Sequence, residues 1–164
     1  MTAKYPGGYS AFVVRCVVDV VVFIGLQASG KSTFFQQRFA DTHVRINLDM
    51  LRTRNRERRL IDTCIDIGQP FVVDNTNVSK SDRQRYFELA NANGLGVCGY
   101  YFQSEIEACK SRNEARAEDR KVPTVGLLGA YARLEVPSLD EGFNQLFYVK
   151  HDGLGGFVVE EWQA

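Results

Sequence analysis

The chain has 164 residues, 45% of them hydrophobic, with eleven phenylalanines and seven tyrosines. That is enough apolar surface for one domain with a sizeable core, and it excludes a disordered chain. Twenty basic and twenty acidic side chains cancel, so no global positive field draws the protein to nucleic acid or an anionic membrane, and any polyanion site must be local. Cys16, Cys64, Cys98 and Cys109 lie far apart without a CxxC pair, and the only histidines are His43 and His151, a donor set that argues against zinc and fits reduced thiols in a cytosol.

Residues 1–16 read as an N-terminal extension, either an extra edge strand or a loose segment, ahead of a single domain over 17–164. The apolar stretch from Ala11 to Leu26 is interrupted by Arg15 and Asp19 and ended by Gly25, too short and too charged for a membrane span. It enters a motif the mature protein needs, so it does not read as a signal peptide, and cytoplasm is the expected location with no membrane partner. That motif follows the buried strand Val20-Val21-Val22-Phe23-Ile24: Gly25-Leu26-Gln27-Ala28-Ser29-Gly30-Lys31-Ser32-Thr33 fits GxxxxGK[ST], a pattern expected by chance in on the order of 1% of chains this long. Gly25 and Gly30 permit backbone conformations that let successive N–H groups converge on phosphate oxygens at the start of a helix. Lys31 is suited to the β- and γ-phosphates and Ser32 to Mg²⁺. Gly25, Gln27, Ala28, Ser29, Gly30, Lys31, Ser32 and Thr33 are therefore the candidate nucleotide-binding residues, with ATP and Mg²⁺ as expected cofactors.

Behind the loop, Phe34, Phe35, Arg38 and Phe39 continue at helix spacing. His43 to Asn47 reads as a short strand, followed by one charged helix from Asp49 to about Ile67 that Gly68-Gln69-Pro70 breaks. Phe71-Val72-Val73-Asp74 is an apolar strand ending in an acid, and Ser79 to Asn93 a helix capped by Ser79 or Ser81. Val97 to Phe102 is a strand, and Ser104 begins a polar helix. The turn Val122-Pro123-Thr124 separates that from a second helix through Tyr131 and Leu134. Phe147 to Val149 and Phe157 to Val159 form strands around a turn at Asp152-Gly153, consistent with a hairpin. This alternation predicts an α/β fold: three αβα layers around a mostly parallel sheet, with a small helical lid at about 104–123. Ligands gather at the carboxyl ends of such strands, which brings Gly25 to Ser32, Asn47 to Asp49 and Asp74 to Asn77 to one edge.

Asp49 sits where a carboxylate can face the γ-phosphate and take the proton of an attacking hydroxyl; equally, it can cap the helix. Arg52, one turn on, offers a guanidinium to an anionic acceptor or faces solvent. Asp74 stands at a strand end where such folds carry an acid near Mg²⁺, while Asn75 and Asn77 serve as acceptor contacts or form, with Thr76, a structural turn. Arg112 and Arg116 fall at i and i+4, suited to a lid arginine on transferring phosphate oxygens or to a solvated salt-bridged helix. Arg52, Arg54, Arg56, Arg58 and Arg59 concentrate positive charge. Arg52, Arg56 and Arg59 would share a helix face that a nucleic-acid strand could track, against the more common reading of a solvated face balanced by Glu57 and Asp62.

Four blocks in this order resemble the P-loop kinase domain of polynucleotide 5′-hydroxyl kinases. They are Gly25 to Phe34, Ile46-Asn47-Leu48-Asp49-Met50-Leu51-Arg52, Val73-Asp74-Asn75-Thr76-Asn77, and Arg112 to Arg116 with Val122-Pro123; Tyr131 to Phe143 resembles that family's closing segment. The resemblance implies roles: Lys31 on the β- and γ-phosphates, Ser32 and Asp74 on the metal side, and Asp49 as general base. It likewise implies Arg52 on the acceptor's 3′-phosphate, Arg116 on the phosphates and Arg112 nearer the nucleotide base. Leu48 departs from the arginine the family commonly carries before the acid. The implied activity is transfer of the γ-phosphate of ATP to the 5′-hydroxyl of DNA or RNA. Small alcohols as acceptors, or ATP binding by a regulatory protein without transfer, are the other expectations.

Overall fold

The structure is a computed structural model that describes residues 20–163; the expectations for residues 1–16 and for a domain start at residue 17 lie outside it. Among the described residues, six strands form one sheet in the order β2-β3-β1-β4-β5-β6: β1 (Val20–Ile24), β2 (Val44–Ile46), β3 (Phe71–Val73), β4 (Val97–Phe102), β5 (Gln145–His151) and β6 (Phe157–Glu161). The first five run parallel, and β6 closes the edge antiparallel to β5 as the hairpin pattern predicts. All five residues of β1 are buried. Val20, Val22 and Ile24 pack on one face with Ile61, Cys64, Tyr86, Phe87 and Ala90, while Val21 and Phe23 pack on the other with Phe34, Phe35 and Phe157. A period of two along a strand buried on both sides yields the expected three layers.

The helices are α1 (Lys31–Arg38), α2 (Leu48–Leu51), α3 (Arg54–Asp66), α4 (Lys80–Ala92), α5 (Ile106–Glu114) and α6 (Thr124–Ala132). Helices α1 against one face and α3 and α4 against the other cover the central strands. Ser79 caps α4 in a reciprocal capping box with Asp82. A third cluster of Leu26, Val78, Cys109, Leu127 and Ala130 seats α5 and α6 against the phosphate loop and the turn after β3. Among the described residues no helix is long and apolar enough to cross a membrane.

One expected helix is two. The segment from Asp49 to Ile67 breaks at Arg52, which takes φ 71° and ends α2, and Thr53 caps a new helix by accepting from Arg56 N at 3.2 Å. Arg52 lies before the break and Arg56 and Arg59 after it, so the shared helix face does not form. Glu57 is not part of a solvated face either: it is 3% exposed. Only the Arg58–Asp62 pair, 3.7 Å apart and exposed, answers to that description.

Candidate active site

The carboxyl ends of β1, β2 and β3 open into a cleft of about 350 Å³ lined by Lys31, Asp49, Arg54, Asp74, Arg116 and Arg133, among others. Its floor is the loop from Gly25 to Gly30. Gly30 holds φ 104°, and a Cβ there would lie 2.8 Å from Phe157 Cε1 and 2.9 Å from His151, so only glycine fits between α1 and the β5–β6 hairpin. Gly30 is the N-cap residue of α1 without a side-chain cap, which leaves the first N–H groups of that helix for an anion. Ala28 adopts φ 59° without being glycine, a strained conformation of the kind that recurs at ligand-binding loops.

Lys31 folds back over this loop, donating to Gly25 O at 2.8 Å, Leu26 O at 2.5 Å and Ser29 Oγ at 3.3 Å. Burial lowers its pKa from 10.5 to about 8, while the nearby Asp74 carboxylate opposes that shift, as does Asp49 more weakly. The loop backbone is braced from outside as well. Arg112 Nε donates to Ala28 O at 2.7 Å, His151 Nε2 to Ser29 O at 3.1 Å, and Leu26 N to Ser104 Oγ at 3.1 Å. Gln27 Oε1 is buried without a hydrogen-bond partner.

On the metal side, Ser32 Oγ donates to Asp74 Oδ2 at 3.3 Å, and Asp74 is 2% exposed. These are hard oxygen donors beside the phosphate loop, a set that suits Mg²⁺. Sequence reasoning did not single out Arg45, whose guanidinium contacts both oxygens; the period of two along β2 is the signal that could have placed it on this side. Asn47 Nδ2 donates to Asp74 O at 2.6 Å and fixes the spacing between β2 and β3.

The wall across the cleft from the phosphate loop is built differently. Asn47, not Asp49, caps α2, its side chain accepting from Met50 N at 3.1 Å, which leaves Asp49 exposed and lining the cleft. Asn75 ties this turn to α3: its Oδ1 accepts from Leu48 N at 2.8 Å and its Nδ2 donates to Glu57 Oε1 at 2.7 Å. Glu57 also accepts from Tyr86 OH at 3.2 Å and Arg54 Nη1 at 2.7 Å, and burial raises the Tyr86 pKa to about 12. Asn77 lines the cleft but turns its amide onto Phe23 O at 2.8 Å. Arg83, fully buried, pairs with Glu141 at 2.7 Å and donates to Asn77 O and Val78 O, locking the turn after β3 to the closing segment.

Of the residues expected to meet an acceptor, Asp49, Asn75 and Asn77 line the cleft and Arg52 and Arg56 do not. Arg52 is exposed outside the cleft lining, and Arg56 Nη1 donates to Leu51 O at the end of α2, 3.4 Å away. Arg54 from the start of α3 and Arg133 from the end of α6 line the cleft with Asp49. Sequence reasoning missed both; Thr53, a preferred N-cap residue, was the available signal that a new helix starts there. Arg116 lines the cleft and Arg112 stands behind the loop.

A family model described as an AAA domain matches residues 20–137. The chain is 24% identical over 132 residues to the bifunctional polynucleotide phosphatase/kinase of Schizosaccharomyces pombe, an alignment that covers 78% of this chain and 32% of that protein, about a third of its length. Among solved structures, a gluconokinase from Sinorhizobium meliloti aligns with a TM-score of 0.56 at 21% identity, covering 83% of this chain and 84% of that one. Kti12 from Chaetomium thermophilum, solved in complex with ADP-AlF3, aligns with a TM-score of 0.61 at 18% identity, covering 81% and 89%. At these identities the structural likenesses speak for the fold.

Proposed function

We propose that this chain, which belongs to that AAA domain family, is an ATP-dependent P-loop kinase that phosphorylates the 5′-hydroxyl end of a nucleic acid. The observation that carries this reading is the meeting of Lys31, Asp49 and Arg116 in one cleft that also holds Arg54 and Arg133. A nucleotide binder needs the phosphate loop alone, whereas a carboxylate facing that loop serves an acceptor, and paired guanidinium groups beside it serve an acceptor that carries phosphate. The similarity to the fission yeast polynucleotide phosphatase/kinase favours a 5′-hydroxyl end as that acceptor.

In this mechanism the backbone N–H groups at the start of α1 and the Lys31 ammonium hold the β- and γ-phosphates. Ser32 and Asp74 would hold Mg²⁺, which neutralises charge on those phosphates when bound. Asp49 accepts the proton of the acceptor hydroxyl as its oxygen bonds to the γ-phosphorus. The bond from that phosphorus to the β–γ bridging oxygen breaks, releasing ADP and a phosphate monoester. Arg116 stabilises the charge on the transferring oxygens, and Arg54, braced by Glu57, orients the acceptor's own phosphate in place of the expected Arg52.

Incubation with γ-labelled ATP and 5′-hydroxyl DNA and RNA oligonucleotides should label the ends, and Asp49→Ala should abolish labelling while nucleotide binding persists. Label on a small alcohol such as gluconate, with none on either oligonucleotide, would replace the acceptor and keep the kinase. Tight ATP binding without transfer to any acceptor in the panel would remove phosphotransfer itself.

A further inference from the structure

Arg45 has no part in the mechanism above, yet its guanidinium lies on the two oxygens assigned to the metal. Val44 and Ile46 pack into the core cluster on the α3 and α4 side, so the alternation of β2 sends Arg45 to the opposite side, toward α1. There Nε donates to Asp74 Oδ2 at 2.7 Å, Nη2 pairs with the same oxygen at 2.5 Å, and Nη2 donates to Ser32 Oγ at 2.7 Å. The guanidinium also lies 5.8 Å from the centre of the Phe35 ring, a position that suits the cation. Asp74, at 2% exposure, has almost no access to bulk water, so Arg45 is its main charge partner in the metal-free protein.

We propose that Arg45 is a resident counter-cation that competes with the divalent metal for Asp74 and Ser32 and thereby sets the metal affinity of the nucleotide site. The inference rests on the nucleotide and metal reading given above. It goes beyond it by making Arg45 a positioning residue that acts through Asp74 and Ser32. A divalent metal held by Ser32 Oγ and Asp74 would push the guanidinium off Ser32 Oγ, because two cations at this distance repel. Without metal, the same contacts keep the buried carboxylate paired and the serine aligned.

The test uses Mn²⁺ as a paramagnetic probe with a non-hydrolysable ATP analogue, its free fraction read by electron paramagnetic resonance. Arg45→Gln keeps hydrogen-bond donors for Asp74 and removes the charge, and it should bind Mn²⁺ in the nucleotide complex about tenfold more tightly than wild type. An unchanged or weaker Mn²⁺ affinity in a variant with an intact circular dichroism spectrum overturns the proposal. In the wild-type protein, the Arg45 Nε–Hε resonance, assigned by its loss in Arg45→Lys, should shift on adding Mg²⁺ with the analogue and stay in place with the analogue and a chelator. A resonance indifferent to Mg²⁺ overturns the proposal even where Arg45→Gln does not fold. Failure of the wild-type protein to bind nucleotide or metal at all defeats the kinase reading and this proposal together, whereas transfer to an unexpected acceptor leaves this proposal standing.

Discussion

The two walls of the cleft are held in place by opposite means. The donor wall is one contiguous loop whose geometry is over-determined: Lys31 is 8% exposed, Gly30 sits against Phe157 and His151, and Arg112 and His151 brace the backbone from outside. The acceptor wall is the four-residue α2 and the start of α3, more open to solvent, tied to the core through Leu51, Asn47, Asn75 and one buried carboxylate, Glu57. A loop braced on both sides and a more exposed helix start held by a few polar contacts suit the proposed pairing of one invariant group, a triphosphate, with one variable group, an acceptor.

Removing Asp49 should separate the walls most sharply. Asp49→Ala should lower transfer by roughly 10²- to 10⁴-fold, the range for a lost general base. Because Asp49 is exposed, the variant should unfold in urea within about 0.5 kcal/mol of wild type. Loss of both activity and stability would show that Asp49 holds α2 in place.

Glu57→Ala should do the reverse. It removes the shared acceptor of Asn75 Nδ2, Tyr86 OH and Arg54, leaving only their long contacts with one another, a loss of about 2 kcal/mol by urea titration. It should also raise the acceptor KM while the nucleotide Kd stays near wild type, and an equal rise in both would mean that the two walls are one unit.

On the donor wall, burial lowers the Lys31 pKa from 10.5 to about 8. Between these values the unfolded chain holds the proton and the folded chain does not, so this group adds stability as pH rises through the window, and its burial cost is full below pH 8. The stability of wild type relative to Lys31→Met, which lacks both the charge and the contacts to Gly25 O and Leu26 O, should therefore rise as pH climbs from about 8 toward 10.5. Melting temperatures that keep a constant offset across that range would dissociate Lys31 from the burial argument.

The smallest effect is the most discriminating for the acceptor wall. Arg54→Ala should raise the KM for a phosphate-bearing acceptor about tenfold, the scale of one charge-assisted contact. Arg52→Ala should change it less than twofold, and the reversed order would restore Arg52 to the acceptor.

The same division governs what was legible in the sequence. The shape of the donor wall was readable because the loop pattern is carried by neighbouring residues at fixed spacing: Gly25, Gly30, Lys31 and Ser32. The sheet was readable too, since apolar runs such as Val20 to Ile24 and Phe71 to Val73 have one stable use, and the hairpin after Asp152-Gly153 followed from turn chemistry. The acceptor wall was misread where a local backbone event outweighed periodicity. Arg52 at positive φ and Thr53 as a fresh cap split a helix that charge patterning had drawn as continuous, exchanging Arg54 for Arg52 at the cleft. Glu57 looked like a surface counter-charge because its buried partners, Asn75 and Tyr86, are 18 and 29 residues away. Arg45 was missed for the same reason: its partner Asp74 lies 29 residues further along the chain.

The contact of the β5–β6 hairpin with the phosphate loop also orders events in time. Gly30 is translated more than a hundred residues before His151 and Phe157 arrive to support it, and β6 joins the sheet only through β5. A chain emerging from the ribosome thus carries its nucleotide-gripping sequence early without the backing that shapes it, so capacity to hold ATP should appear late, when the hairpin has cleared the exit tunnel.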